Sequence, residues 1–556
     1  MVNRGRSKGC VTCKQRRVKC DEAKPECWHC RRLGLHCEGY QTKYTNLKFR
    51  DQTHKFFTSA DQDRACVPSP QPLAEPDTSV PFFLKYYVGM GRNLESARGL
   101  FEILIPVYCS ERQGSPLSLA ISAVASGILS LWRRSVRGFQ LSRKAYTEAI
   151  ACMRNAVNDR VQRRNPATVL AALVLQHYES VAAVYDLRSP SRVHHNGAVS
   201  LLQFAEADRM NGTNGAYIRR FMLHTEVSSA MRQKRPVQSI AYSWVGGKRL
   251  MAAPENPSSV LDVIGVSVAE FQANYIRLVN QDGTMLLSWQ VLEDWRAEAK
   301  RIDRELLDWA QNVPDHWQPR NLTPGQDIDE SIPTYRSVCE VYPSCQIANI
   351  WNLWRFQRLL LLKITVDCLQ KTIHMFQVEL TKEQASAVVD NICECQETLQ
   401  RLVDSVCYSV PFFLGNRTRQ STITDFTDSE ILIPSYPLQA PEGKKSLNTK
   451  DHDAGRCRDD HRYPIIAQGP WHIMSPLSHL LTLFSEGNGQ LLASFLRPGQ
   501  QAWIRAQFQR VTTLLHLSPK DHGEDQQALF DASAGNINTD NLARGVRKGL
   551  IFMSGP

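Results

Sequence analysis

Six of the sixteen cysteines in this 556-residue chain stand at Cys10, Cys13, Cys20, Cys27, Cys30 and Cys37. The spacing is C-x2-C-x6-C, six residues, then C-x2-C-x6-C again, a duplication offset by 17 positions. Two cysteines three apart project from one side of a helical turn and can chelate one metal, with the third ligand returning from beyond the turn. Two tetrahedral zinc ions need eight ligand positions, and six thiolates fill eight only if two of them bridge. The duplication makes the first cysteine of each half the natural bridging pair. One zinc then takes Cys10, Cys13, Cys20 and Cys27, and the other takes Cys27, Cys30, Cys37 and Cys10. His29 and His36 become surplus and read as solvent-facing or phosphate-contacting. A redox thiol cluster, a zinc ribbon and an iron–sulfur site are the competing chemistries. Ribbons usually lack the x6 duplication, and iron–sulfur motifs use tighter runs with fewer basic neighbours.

Basic residues are interleaved with these cysteines. Residues 1–50 hold 13 Lys/Arg against 4 Asp/Glu, which is +9 of the chain's formal +11. Six thiolates and two zinc ions would leave that segment near +7. A concentrated positive end on a nearly neutral body is the footprint of a polyanion-binding module. Lys14, Arg16, Arg17 and Lys19 lie between the second and third cysteines, with Arg31 and Arg32 in the second half. A helix this short is marginal in water, but metal–thiolate bonds supply folding free energy directly. Arg or Lys held on it can enter a DNA major groove and pair with guanine O6 and N7.

The run Cys10-Val-Thr-Cys13-Lys14-Gln15-Arg16-Arg17-Val18-Lys19-Cys20-Asp21, with Pro25 ahead of Cys27, resembles the Zn2Cys6 binuclear cluster of fungal transcription factors over about residues 8–38. That resemblance implies two Zn2+ as cofactors, double-stranded DNA as partner and CGG-type triplets as the sequence read in the major groove. It also implies a nuclear, sequence-specific regulator of RNA polymerase II genes that meets the transcription machinery or co-regulators. The family's base-reading side chain, three residues before the third cysteine, corresponds to Arg17, where members often carry Lys. Arg16 and Lys19 are then expected on phosphates, and Arg31 and Arg32 on the DNA backbone. The run from Lys14 to Lys19 doubles as a candidate nuclear import signal. The alternatives are a cluster that only tethers a scaffold or enzyme body to DNA or protein, and an RNA-binding cluster. The RNA reading lacks a stacking platform, since only Trp28 and Tyr40 are near.

The expected fold class is mostly α: a small cluster domain at 1–40, a basic then Pro-bearing linker at 41–80, and a large all-helical body at 81–556. Apolar residues at helical spacing predict helices over 116–134, 140–159, 166–186, 216–234, 285–313, 344–377, 381–410 and 476–496, the last broken near Gly487 and Gly489. Such an array after a zinc cluster resembles the fungal-specific regulatory domain. Residues 415–464 read as a disordered loop, within which 425–433 has the mixed acidic and apolar composition of a weak activation segment or of a solvated loop. Trp351, Trp354 and Phe356 read either as lining for a small-molecule effector or as packed core. Residues 41–80 contain only Leu47 and Leu73 as leucines and no heptad repeat, leaving a monomer or a dimer made through the helical body.

The start of the chain lacks the apolar core of a secretory signal. Charge-free runs at 113–132 and 463–485 are diluted by serine, histidine or proline, so buried helices are expected and no membrane partner. His194 and His195 read as a helix start, and Cys393 and Cys395 as structural; the final ten residues show no clear element. No phosphate-binding glycine loop, G-x-S-x-G or H-E-x-x-H occurs, so no enzyme is expected.

Overall fold

The computed structural model describes residues 9–40, 78–88, 96, 99–205, 213–245, 256–280, 288–376, 380–436, 459–486, 489–517 and 535–552. Contacts divide the chain into two units, 1–75 and 76–556. The expected linker lies outside the described residues up to position 77, as do 437–458 of the expected loop and the last four residues.

The first unit holds two five-residue helices, α1 (Val11–Gln15) and α2 (Trp28–Arg32). Among its described residues the buried core consists of Cys10, Cys13, Cys27, Cys30 and Cys37, with Cys20 and Tyr40 packed against them.

The second unit is a helical body. In chain order it contains α3 (Ser79–Phe83), α4 (Leu100–Ser110), α5 (Pro116–Arg133), α6 (Val136–Asn158), α7 (Pro166–Tyr185), α8 (Val193–Ala205), α9 (Thr213–Gln233), α10 (Pro257–Asn280) and α11 (Trp289–Asn312). A short antiparallel hairpin follows, β1 (Arg320–Leu322) against β2 (Cys339–Val341), with Asn321 opposite Glu340. Then come α12 (Cys345–Phe376), α13 (Lys382–Leu414), α14 (Asp459–Ser485), α15 (Gly489–Ser494), α16 (Gln500–Leu514) and α17 (Gly535–Gly549).

Local chemistry starts these helices. Ser115 caps α5 and Asn165 caps α7, each followed by proline at the first helical position, where its missing N–H costs nothing. Thr381 and Gln384 form a reciprocal capping box on α13. His194 and His195 lie in the first turn of α8, as expected of a helix start. Helices α5 and α7 have the length and apolarity to cross a bilayer, yet most of each is buried within the body.

Helix α14 packs against α12, α13, α15, α16 and α17. It begins 17 residues before the expected start at Pro476 and runs through Pro464, Pro470 and Pro476. Pro470 cannot donate to the carbonyl of Ile466, and the side chain of Arg417 replaces it, with Nη1 donating to that oxygen at 2.9 Å. The same buried guanidinium donates to the carbonyls of Phe413 at 3.0 Å and Leu414 at 3.1 Å, near the end of α13. Gly469 allows the two helices to approach closely, since a Cβ there would lie 2.2 Å from the Phe413 carbonyl oxygen.

Arg417 corrects the expectation of a disordered loop at 415–464. Residues 415–436 are an ordered strap whose polar composition serves helix ends, and 459–464 already belong to α14. Within the strap, Phe426 stacks on Tyr86 with ring centroids 4.4 Å apart and sits 5.1 Å from Trp132. Ile431, Leu432 and Ile433 pack against the core. The segment 425–433 is therefore anchored to the body by Phe426 and Ile431 to Ile433, while Thr427, Ser429 and Glu430 stay exposed. The final residues were expected to lack structure, but α17 reaches Gly549 and a short 3-10 turn follows it.

Replacing Arg417→Met keeps bulk and removes the donors. Because leaving a buried carbonyl unpaired costs about 1–3 kcal/mol, the variant should lose roughly 3 kcal/mol or more of stability. Denaturant unfolding of the full chain measures this, and an unchanged midpoint would contradict the bracing role.

Candidate metal centre and nucleic-acid interface

The duplication in sequence is a duplication of backbone geometry. Cys10 caps α1 and its Sγ accepts from the Cys13 N–H at 3.3 Å; Cys27 caps α2 and accepts from the Cys30 N–H at the same distance. A thiolate is favoured there by the exposed N–H groups and partial positive charge of the helix start, as Asp is at ordinary caps. Both helices end in a left-handed residue, Arg17 (φ 56°) in the first half and Gly34 (φ 62°) in the second. The N–H of Val18 reaches the Cys13 carbonyl at 3.1 Å and that of Leu35 reaches the Cys30 carbonyl at 3.0 Å. These bonds are the six-to-one links of a Schellman cap, which glycine adopts freely and arginine does not.

Three side chains tie the halves together. Asp21 Oδ2 accepts from the Trp28 N–H at 3.1 Å, fixing the start of α2, and this bond holds the Asp21 carboxyl below its usual range. Thr12 Oγ1 donates to the His36 carbonyl at 3.1 Å and accepts from the Glu38 N–H at 3.0 Å. The Tyr40 hydroxyl donates to the Ala23 carbonyl at 2.7 Å and lies 3.8 Å from Cys20 Sγ. Sequence reasoning singled out Asp21 only as part of a motif and missed Thr12, since nothing in its spacing marks a contact 24 residues away.

The cysteines fall into two sets of four, Cys10, Cys13, Cys20 and Cys27, and Cys10, Cys27, Cys30 and Cys37. In each set all sulfurs lie within 4.8 Å of one another, and Cys10 and Cys27 belong to both. A tetrahedral site with Zn–S bonds of about 2.3 Å has sulfur–sulfur edges of about 3.8 Å. Cys10 and Cys27 are 3.6 Å apart, Cys13 and Cys27 3.6 Å, and Cys10 and Cys30 3.8 Å. The donor set therefore fits two zinc ions, and both sets are entirely sulfur. Burial among neighbouring thiols pushes the Cys13 thiol far above its ordinary value and Cys30 up to about 12. Burial would raise Cys20 as well, but N–H groups of Cys10 and Glu22 outweigh it and hold Cys20 at about 7. Zinc removes the conflict, because a coordinated thiol is deprotonated outright and the metal charge offsets the sulfurs.

The six basic residues named from sequence are all exposed. Their local setting differs from a continuous basic helix. Helix α1 ends at Gln15, so Lys14 is helical, Arg16 is the C-cap, Arg17 is left-handed and Lys19 lies beyond. Arg31 and Arg32 end α2, where Arg32 lies over the Trp28 ring at 5.1 Å.

Six sulfurs in two sets fit for two metals, with exposed bases on and just beyond two short helices, define a zinc-cluster domain of the nucleic-acid-binding kind. Residues 8–47 match the fungal Zn(2)-Cys(6) binuclear cluster domain, and this segment belongs to that family. Over 41 residues the chain is 49% identical to White-opaque regulator 2 of Candida albicans, covering 7% of this chain and 9% of that protein. Over 40 residues it is 51% identical to the transcriptional regulatory protein moc3 of Schizosaccharomyces pombe, covering 7% and 8%. Over 44 residues it is 57% identical to Pestheic acid cluster transcriptional regulator 3 of Pestalotiopsis fici, covering 8% of each. The matches thus span under a tenth of this chain and of each of these regulators. No solved structure matches the chain.

Membership of Cys10 and Cys27 in both sets predicts an asymmetry among the cysteines. Cys27→Ala should release both zinc ions, whereas Cys20→Ala should leave one site with four sulfurs. Native mass spectrometry of the full chain reads the stoichiometry. Retention of one zinc by Cys27→Ala, together with loss of both by Cys20→Ala, would contradict the shared pair.

Proposed function

We propose that this chain is a nuclear, sequence-specific DNA-binding regulator of RNA polymerase II genes. Its cluster, held by Cys10, Cys13, Cys20, Cys27, Cys30 and Cys37 with Cys10 and Cys27 bridging, presents a basic head to CGG-type triplets. The helical body serves as a regulatory domain rather than as an enzyme. The observation that carries the reading is the conjunction of the two all-sulfur sets with exposed basic residues at the end of the short helix they fix. The regulators that share the cluster segment support it.

The left-handed backbone at Arg17 sharpens its role. A non-glycine residue there costs about 1–2 kcal/mol, and the second half of the cluster uses glycine at the same place. Strain of this kind is retained where the side chain has a task. Arg17 reads the guanine edge, Arg16 and Lys19 neutralise phosphate, and Lys14, Arg31 and Arg32 secure the backbone.

Selection from random duplex DNA by the full zinc-loaded chain should enrich CGG-type triplets, singly for a monomer or at fixed spacing for a dimer. Arg17→Gly should retain both zinc ions and gain roughly 1 kcal/mol from relieved strain while losing triplet preference. Lys14→Ala should weaken binding on all sequences and lower the salt dependence by about one phosphate contact. Absence of any enriched motif, or an unchanged preference in Arg17→Gly, would overturn the assignment.

A further inference from the structure

Helices α9, α12, α14 and α17 wall a cavity inside the body. Its volume is about 60 Å³, room for about four waters. Its lining includes Arg232 from α9, Asn352 and Phe356 from α12, His479 from α14 and Arg547 from α17. Phe356 is the one residue of the expected effector pocket that reaches it. Trp351 is instead buried, its indole N–H donating to the Trp317 carbonyl, and Trp354 likewise donates to the Leu306 carbonyl.

The polar groups of this cavity are biased toward donating. Arg547 is half-buried and donates to His479 Nδ1 at 2.5 Å and to Thr482 Oγ1 at 2.6 Å, both neutral acceptors. Among the described residues no carboxylate lies within ion-pair distance of Arg547. The acid that influences it, Glu486, is bound to Lys234 at 3.4 Å. Burial pulls Arg547 down to about 10, the signature of a cation lacking a counter-charge. Burial, followed by the charges of Arg547, Lys363, Arg232 and Lys234, holds His479 neutral.

Two further donors are buried without a protein acceptor, His479 Nε2 and Asn352 Nδ2. Their polarity follows from their other bonds. Arg547 donates to His479 Nδ1, so the ring proton sits on Nε2; Arg355 donates to Asn352 Oδ1 at 2.8 Å, leaving the amide N–H2 over. Buried donors in a native fold have acceptors, and these lie in a cationic cavity with an apolar side at Phe356.

We propose that this cavity binds a small carboxylate, of about four non-hydrogen atoms, with its oxygens on Arg547, His479 Nε2 and Asn352 Nδ2 and its carbon skeleton against Phe356. The proposal deepens the regulatory reading of the body. Binding is measured without DNA, so its failure is separable from failure of the cluster assignment.

Isothermal titration of the full zinc-loaded chain with acetate should give saturable one-to-one binding and a raised melting temperature. Acetamide, matched in shape but uncharged, should bind at least about tenfold more weakly. Asn352→Asp places a carboxylate oxygen where the free amide stands. It should raise the melting temperature of the unliganded chain and lower acetate affinity at least about tenfold. Arg547→Gln should abolish acetate binding, and if that variant does not fold, Asn352→Asp decides alone. The proposal is overturned if acetate fails to saturate, if acetamide binds equally, or if Asn352→Asp leaves affinity unchanged. Saturation by inorganic phosphate without acetate binding would overturn the carboxylate class.

Discussion

Six thiol sulfurs cannot be crowded as anions into two sets spanning no more than 4.8 Å, four of them only 3.6–3.9 Å apart, without positive charge between them. That constraint governs the N-terminal unit, because its buried core among the described residues is made of those cysteines. Twenty-eight residues, Cys10 to Cys37, bury too little apolar surface to fold unaided, and the zinc–thiolate bonds take the place of a hydrophobic core. Metal binding and folding are then one event. The local features serve it: cysteines at helix caps, left-handed helix ends and the Asp21 clip all aim sulfur inward and bases outward.

Three arginines withdrawn from solvent in the body are compensated differently, and the contrast separates structure from function. Arg355 meets Glu340 at 2.8 Å and Ser405 at 2.9 Å, a satisfied network that joins α12 and α13 to the hairpin. Arg417 meets no carboxylate at ion-pair distance among the described residues but is surrounded by carbonyl dipoles that helix α14, interrupted by proline, leaves open. Arg547 has neither arrangement in full, since its acceptors are a histidine nitrogen and a hydroxyl. Burial of a cation costs free energy unless something compensates it, so only the third case points outside the chain for its partner.

Much of the cluster was legible in sequence because metal chemistry imposes both residue type and spacing. The duplicated cysteines announced the two four-sulfur sets, and the intervening bases announced an exposed positive surface. What spacing could not convey was the backbone at Arg17, since a left-handed arginine leaves no compositional mark. In the body, amphipathic periodicity located α5, α6, α7, α9, α11, α12 and α13 within a few residues. It missed α3, α4, α10, α16 and α17, and it began α14 too late because prolines ordinarily end helices and the compensating Arg417 lies 53 residues before Pro470. The strap at 415–436 looked disordered for a related reason: composition registers polarity but not whether buried partners await it.

The central claim is that two zinc ions share six thiolates and that no imidazole takes part. Zinc K-edge X-ray absorption on the full chain addresses it directly. The spectrum should show a first shell of sulfur alone at about 2.3 Å, four per zinc, together with zinc–zinc scattering from the bridged pair. A nitrogen shell near 2.0 Å from His29 or His36, or isolated zinc with no metal neighbour, would contradict it.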